Sequence, residues 1–333
     1  MIRAALVVAL CAAFALTLAA RSAAAGPPRL ELPIDCQMGE VCFVQNYVDN
    51  DPGPGRQDHA CGPLTYDGHD GTDFRLPDYV MMEKGVAVLA AAAGTVVALR
   101  DGMDDINMNL VGREKLMKVG GGNAVILDHG DGWQTSYLHM KRGSVAVQKG
   151  QRVEAGQKLG LIGLSGLTEF PHLHFGVRHN NKPLDPFVGE AAYTACGQTY
   201  APLWSEAATK ALAYRPTAGL GAGFAVRTPD AEAARRGEYA ADAPAPDAAL
   251  LVLWADMMGV KAGDTQRVRI EAADGRVLFD HATTLPADKV AWFSFQGIKR
   301  PAGGWPKGPY RGSVTLTRGA ETVVTMERTL AVP

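Results

Sequence analysis

Short apolar runs, most of them closed by Gly, Asp or Asn, set the rhythm of this chain. Val86-Ala87-Val88-Leu89-Ala90, Gly94-Thr95-Val96-Val97-Ala98-Leu99, Asn123-Ala124-Val125-Ile126-Leu127-Asp128 and Gln134-Thr135-Ser136-Tyr137-Leu138 have β-type character. Runs of that length between turn residues read as strands. No apolar stripe recurs at the 3.6-residue helical spacing between residues 66 and 190. Glycine recurs at every corner of residues 147–160, which suits tight turns in a small β fold. A second set of runs covers residues 250–254, 266–270, 290–295, 312–317 and 322–326, with Asp274-Gly275 and Arg318-Gly319 as turns. That set predicts an immunoglobulin-like β-sandwich, without a Cys–Trp–Cys signature. The expected fold class is all-β: a small, mainly antiparallel β-sheet domain followed by the sandwich.

The remaining segments divide the chain. Arg3, the uncharged apolar residues 4–20 and the small residues Ser22-Ala23-Ala24-Ala25 read as a signal peptide over residues 1–25. A membrane anchor is the competing reading, because the apolar run could almost span a bilayer. Leu10 before Cys11 does not suit a lipoprotein signal. Residues 26–62, with Asp51-Pro52-Gly53-Pro54-Gly55 as a loop, read as an N-terminal strap. Residues 63–190 form the first domain, 191–249 an Ala-, Pro- and Gly-rich linker, and 250–333 the sandwich. Residues 231–236 could form a short helix ended by Gly237. Residues 101–122 interrupt the strand pattern and read as a long inserted loop.

Charge and cysteine narrow the setting. Residues 1–25 contain Arg3 and Arg21 and no acid, so their removal takes the net charge from −2 to −4. With no basic block, nucleic acid is not the expected partner. Nothing after residue 25 is apolar for long enough to span a membrane. The expected location is periplasmic or secreted. Cys36, Cys42, Cys61 and Cys196 are an even set in an exported chain, and suggest disulfides Cys36–Cys42 and Cys61–Cys196 among three possible connectivities.

Five residues carry the chemistry: His69 and Asp73 in Gly68-His69-Asp70-Gly71-Thr72-Asp73, His139 in Tyr137-Leu138-His139-Met140, and His172 and His174 in Pro171-His172-Leu173-His174-Phe175. Two imidazoles and a carboxylate are a ligand set for a zinc ion that keeps one position open. In a strand, His172 and His174 share one face while Leu173, Phe175 and Val177 take the other. Five ligands on one ion would leave no open position, so the labour is divided. The spacing alone leaves open which three are ligands.

These strings resemble the lysostaphin/LytM family of zinc endopeptidases, which cut peptidoglycan cross-bridges or stem peptides. The resemblance covers residues 66–187. It includes His69-x-x-x-Asp73, residues 137–140, the Val/Gly run of residues 147–160, Pro171-His172-Leu173-His174-Phe175 and Lys182-Pro183-Leu184-Asp185-Pro186. It implies a LytM-like peptidase domain with one Zn2+ per chain held by His69, Asp73 and His174, and with His139 and His172 as catalytic histidines. Residues 165–170, Gly176 and the long 101–122 segment depart from the usual pattern and bear on substrate preference.

The expected function is an exported zinc metalloendopeptidase acting on peptidoglycan peptides. The competing reading is a non-catalytic binder or regulator of cell-wall hydrolases on the same fold. The sandwich would serve as a wall- or partner-binding module or as a spacer. Latency is a third possibility, with the N-terminal strap or the 101–122 loop in the groove and a side chain such as Asp105, Asn107 or Asn109 taking the open zinc position. Among other residues, His129 reads as a hairpin histidine, and His59, His179 and His281 as solvated. Trp133 and Trp254 read as core, and Tyr66 and Tyr137 as groove or packing residues.

Overall fold

The computed structural model describes residues 26–242, 244–245 and 247–332. The signal peptide expected over residues 1–25 lies outside the described residues. The first part of the chain carries β1 (Phe43–Asn46), β2 (Thr72–Arg75), β3 (Ala87–Leu89), β4 (Gly94–Arg100), β5 (Asn123–Gly130), β6 (Trp133–Met140), β7 (Arg152–Val153), β8 (Lys158–Leu161), β9 (His172–His179) and β10 (Lys182–Leu184). The main sheet runs β1-β2-β9-β6-β5-β4-β7, with β10 against β9. Every pairing in it is antiparallel. β3 and β8 form a separate ribbon.

Side-chain alternation in β9 decides which face is core. Leu173, Phe175 and Val177 are fully buried, and the intervening His172 and His174 project from the other face. Phe74 of β2 and Tyr137 of β6 meet Phe175 at ring separations of 6.4 and 5.4 Å. Trp204 closes this aromatic cluster, 6.4 Å from Phe74 and 5.5 Å from Phe175.

Trp204 belongs to the segment expected as a linker, and that expectation needs correction. Residues 191–249 contain α4 (Glu206–Ala211), β11 (Ala218–Ala225) and α5 (Ala231–Arg235), numbered after α1 (Tyr79–Lys84), α2 (Met108–Val111) and α3 (Arg113–Leu116). β11 alternates buried Ala218, Leu220, Ala222 and Phe224 with glycine. The glycines mimic a flexible linker in composition, yet Gly221 and Gly223 lie against the Trp254 ring. Asp230 caps α5 by accepting from the Ala233 N–H. The 101–122 segment is likewise more ordered than a loop: it holds α2, α3 and a 3-10 turn at Met117–Val119.

The C-terminal strands are β12 (Leu250–Val260), β13 (Thr265–Glu271), β14 (Val277–Thr284), β15 (Lys289–Lys299), β16 (Gly308–Arg318) and β17 (Glu321–Val332). Sheets β11-β12-β15 and β14-β13-β16-β17 enclose a core that includes Leu253, Val268, Ile270, Tyr310 and Val314. The expected sandwich therefore gains a strand from the supposed linker. No described helix is long and apolar enough to cross a membrane.

The strap is built in, with β1 on the sheet edge and Leu30 bridged to Trp204. Disulfides join Cys36 to Cys42 and Cys61 to Cys196. His59 is not solvated as expected. It stacks on Phe187 at 4.3 Å and meets Tyr47 and Tyr214 edge-on. His179 stacks on the buried Trp133 at 4.2 Å, and His281 is exposed. His129 bonds Ala93 O and Thr135 Oγ1 at the hairpin.

The two β units share one buried polar contact. Arg75 Nη2 donates to Asp256 Oδ2 at 3.1 Å, and Arg235 grips the same carboxylate through Nε and Nη2 at 2.7 and 3.1 Å. Arg75 is fully buried and Asp256 is 2% exposed. Removing one partner of a buried ion pair leaves an uncompensated charge and costs about 3–5 kcal/mol. Asp256→Asn is therefore expected to lower stability by about 3 kcal/mol in chemical denaturation. An effect within error of zero would show the pair to be dispensable.

Burial lowers the His59 pKa to about 4, with the nearby Asp58 carboxylate opposing. The folded chain keeps the ring neutral, and the unfolded chain takes up a proton below about 6.5. Its contribution to stability is thus intact above about pH 6.5 and is lost as pH falls toward 4, by up to about 3 kcal/mol. Denaturation at pH 7 and pH 4.5 is expected to show a smaller pH-dependent loss in His59→Phe than in the unmodified chain. Equal losses would overturn this assignment.

Candidate metal centre

β2 and β9 run side by side with Asp73 opposite His174 and Arg75 opposite His172. Strand alternation puts all four side chains on the non-core face. His69 enters from the loop before β2. Its Nε2 lies 3.2 Å from Asp73 Oδ1 and 3.2 Å from His174 Nδ1, and His174 Nδ1 lies 3.0 Å from Asp73 Oδ1. These three buried side chains form a group that could hold a metal ion. A tetrahedral zinc with bonds near 2.0–2.1 Å separates its ligand atoms by about 3.3 Å, so the donor set fits such an ion.

His139 reaches the same place by an irregularity. Thr135 and Tyr137 of β6 point to the core, and regular alternation would send His139 after them. Between the pairs Val125↔Tyr137 and Asn123↔Met140 the register slips, with one extra residue on β6. His139 takes φ +60° there. A bulge of this kind re-aims a side chain. It brings the His139 ring to 4.7 Å from His172 and 6.1 Å from His174. Asp73, His139, His172 and His174 thus line one cleft of about 470 Å³, and His69 joins them through the metal-binding group.

A ring of partners that the sequence did not reveal fixes each group. The Tyr47 carbonyl accepts from His69 Nδ1 at 2.7 Å, leaving Nε2 bare. Asn46 Nδ2 donates to Asp73 Oδ2 at 2.8 Å and leaves Oδ1 facing the two histidines. His174 Nε2 lies 3.5 Å from Asp70 Oδ1, and Arg178 holds the other oxygen of Asp70 at 2.7 Å. Such outer partners orient metal-binding imidazoles and raise their basicity. His139 Nδ1 donates to the Ser165 carbonyl at 2.7 Å, and His172 Nδ1 to the Phe170 carbonyl at 3.0 Å beside Thr168 Oγ1. Both rings therefore keep Nε2 free of those bonds, and His172 Nε2 stands 3.5 Å from Asp73 Oδ1. Three of these partners, the Tyr47, Ser165 and Phe170 groups, are backbone carbonyls, which no side-chain pattern can signal. Asp70, inside the His69–Asp73 string, was the one partner within reach of a sequence argument.

Two glycines make room. A Cβ at Gly71 would sit 2.5 Å from His174 Nε2. Gly122 has φ +61°, and a Cβ there would meet the Ser165 carbonyl at 2.1 Å, the group that holds His139. The Gly120-Gly121-Gly122 run is thus a close approach of two backbones.

Electrostatics follow from burial. Burial opposes the Asp73 charge, but His69 and His172 nearby and the hydrogen bonds with His174 and His69 outweigh it and hold the carboxyl well below the usual range. Burial, then the charges of His172 and His174, push His139 well below the ordinary histidine value. Burial also lowers His172, against the pull of Asp73. For His174 burial is outweighed by hydrogen bonds to Asp70 and Asp73, which raise its pKa to about 9. A site that holds a proton this firmly is one where cation and proton compete.

The three side chains named for a latent arrangement make contacts elsewhere or are exposed. Asn107 bonds Glu169 O, Glu232 Oε2 and the Asn109 N–H. Asp105 accepts from the Leu164 and Arg142 N–H groups, and Asn109 is exposed. None of the three belongs to the metal-binding group. Tyr66 lies 4.5 Å from the His69 ring at the cleft, whereas Tyr137 is core.

Residues 67–186 match the model of peptidase family M23. The chain is 32% identical over 117 residues to peptidoglycan DD-endopeptidase ShyB of Vibrio cholerae, covering 35% of this chain and 22% of that protein. It is 39% identical over 71 residues to cell division protein DipM of Caulobacter vibrioides, covering 20% and 11%. The catalytic domain of the antimicrobial peptidase lysostaphin from Staphylococcus simulans is 26% identical, with 43% of this chain and 86% of that chain covered and a TM-score of 0.28. The chain thus spans about a fifth of the length of the first curated relatives it matches.

Asp70→Asn removes the charge behind His174, and Gly71→Ala displaces its ring. Each is expected to weaken zinc affinity by about 10- to 100-fold, measured by competition with a chromogenic chelator. Unchanged affinity in both would remove these residues from the support of the site.

Proposed function

We propose, from the peptidase family M23 domain over residues 67–186, that this chain is an exported zinc metalloendopeptidase that hydrolyses peptide bonds in peptidoglycan. The observation that carries the reading is the convergence of His69 Nε2, Asp73 Oδ1 and His174 Nδ1 to within 3.2 Å of one another, beside two further histidines. His69, Asp73 and His174 are the proposed ligands, and His139 and His172 the proposed catalytic residues. Bound zinc supplies a Lewis acid and a water whose pKa is lowered to about 7.

The protein's own groups do the proton work. His139 and His172 are buried and biased toward the neutral form, so each presents an unprotonated Nε2 to the cleft at neutral pH. The Ser165 and Phe170 carbonyls hold the opposite nitrogens and keep both rings from turning. A neutral imidazole fixed in this way accepts a proton and returns it to a leaving amine. No carboxylate other than Asp73 and Glu169 lines the cleft among the described residues, and Asp73 is occupied by the metal-binding group. The sandwich contributes Val290 and Ala291 to the cleft, so it acts as a wall of the site as well as a separate module. The competing reading, a non-catalytic binder, draws on the likeness to the cell division protein DipM; against it, no proposed ligand is missing.

Zinc-loaded protein incubated with peptidoglycan sacculi is expected to release soluble muropeptides, to stop on chelation and to recover on zinc addition. His139→Ala and His172→Ala are expected to lose about 100-fold or more of the rate while retaining one zinc per chain. His174→Ala is expected to lose both. Full metal occupancy with no bond cleaved, with or without a plausible activator, would favour the binder.

A further inference from the structure

The metal-bearing face of the sheet continues past the histidines into a positively charged corner. Arg75 is two residues beyond Asp73 on β2 and faces His172 across the strand pair. Its guanidinium lies over the Phe170 ring at 4.5 Å and donates to Gln45 Oε1 and to Asp256 Oδ2. Its buried Nε has no partner. Arg235 of α5 takes both oxygens of the same Asp256 through Nε and Nη2. Its Nη1 makes no hydrogen bond among the described residues, and its side chain, 14% exposed, lines the cleft.

Charge does not balance there. Two guanidiniums share one carboxylate. Glu232, the acid on α5 nearest to Arg235, is tied to Arg236, Tyr79 and Asn107. Arg56 and Arg113 add positive charge to the same cleft, against Asp73 and Glu169. The chain as a whole is net negative at −2, so the excess is local. A surplus cation next to buried groups is stabilised by an anion that pairs with it, and a guanidinium fork matches a carboxylate.

We propose that Arg235, held in place by Asp256, is a carboxylate-binding residue of the cleft, and that the peptide cut there carries a free carboxylate close to the scissile bond. This rests on the peptidase reading of the same site. Arg75, which shares Asp256 with Arg235, is two strand residues from Asp73, so the carboxylate site and the metal-binding group lie along one face of the cleft.

The test uses a cross-linked stem-peptide dimer with free carboxylates beside the cross-link, and the same dimer with those groups amidated. The zinc-loaded full chain is expected to cleave the free form with a kcat/KM about tenfold to a hundredfold higher. Arg235→Gln is expected to erase that preference while leaving the rate on the amidated dimer near its original value, and Arg235→Lys to retain part of it. Arg235→Gln leaves the Arg75–Asp256 ion pair in place, so its zinc content should stay at that of the unmodified protein even where the loss of two bonds to Asp256 lowers its Tm. Equal rates on the two dimers, or a preference that survives Arg235→Gln, would overturn the carboxylate site and leave the peptidase reading standing. Cleavage of neither dimer would overturn the peptidase reading. Equilibrium binding of the two dimers then decides the site. Tighter binding of the free form that Arg235→Gln abolishes supports it, and equal binding rejects it.

Discussion

One buried carboxylate organises the site. Asp73 is 2% exposed, and an ion of its size loses several kcal/mol of solvation when it leaves water. That cost is tolerable only where donors and positive charge surround it. Asn46 takes one oxygen, and His69, His172 and His174 lie 3.0–3.5 Å from the other. The arrangement is a demand for a cation as much as a product of folding, because two imidazole nitrogens and a carboxylate oxygen converge without enough protons to satisfy them all. The outer hydrogen bonds then have a clear purpose. Each imidazole is anchored by the nitrogen that does not face Asp73.

The same physics recurs one residue pair along the sheet, with the signs exchanged. Asp256 is a carboxylate from the sandwich that lies between Arg75 of the first β unit and Arg235 of α5. Here the carboxylate is the minority charge. This contact, the bonds from Tyr79 and Asn107 to Glu232, and the placement of Ala218, Leu220 and Met258 in the first domain's core tie the two β units together. The consequence reaches the cleft, because the elements that lock the sandwich in place are those that line one end of the site.

Much of this was legible in the sequence for simple reasons. Alternation over residues 172–177 is strict, so the face shared by His172 and His174 could be read directly. The sandwich strands were readable from the runs, and the even cysteine count pointed to two disulfides without choosing among three pairings. His139 was different. Its approach to the site depends on a bulge and a positive φ, and nothing in Tyr137-Leu138-His139-Met140 distinguishes that from regular strand. The Tyr47, Ser165 and Phe170 carbonyls were invisible because backbone groups carry no residue identity. The linker reading failed because glycine and alanine suit a flexible tether and a tightly packed strand equally well, and only the partner, Trp254, decides between them. His59 sat in a polar string but was drawn inward by three aromatic rings contributed from distant positions.

The two charge centres together give the cleft a polarity. A cation-seeking group of nitrogen and oxygen donors lies at one point of the sheet face, and Arg75, which shares Asp256 with Arg235, lies two strand residues further along. His172 stands between them, opposite Arg75 in register and 3.5 Å from Asp73 Oδ1. A peptide with a carbonyl at the first centre and a carboxylate at the second satisfies both, whereas the reverse placement leaves the guanidiniums unpaired. Direction and register would then be chosen by where the guanidinium surplus finds its anion, and the histidine between the two centres would meet the bond that this register brings to it.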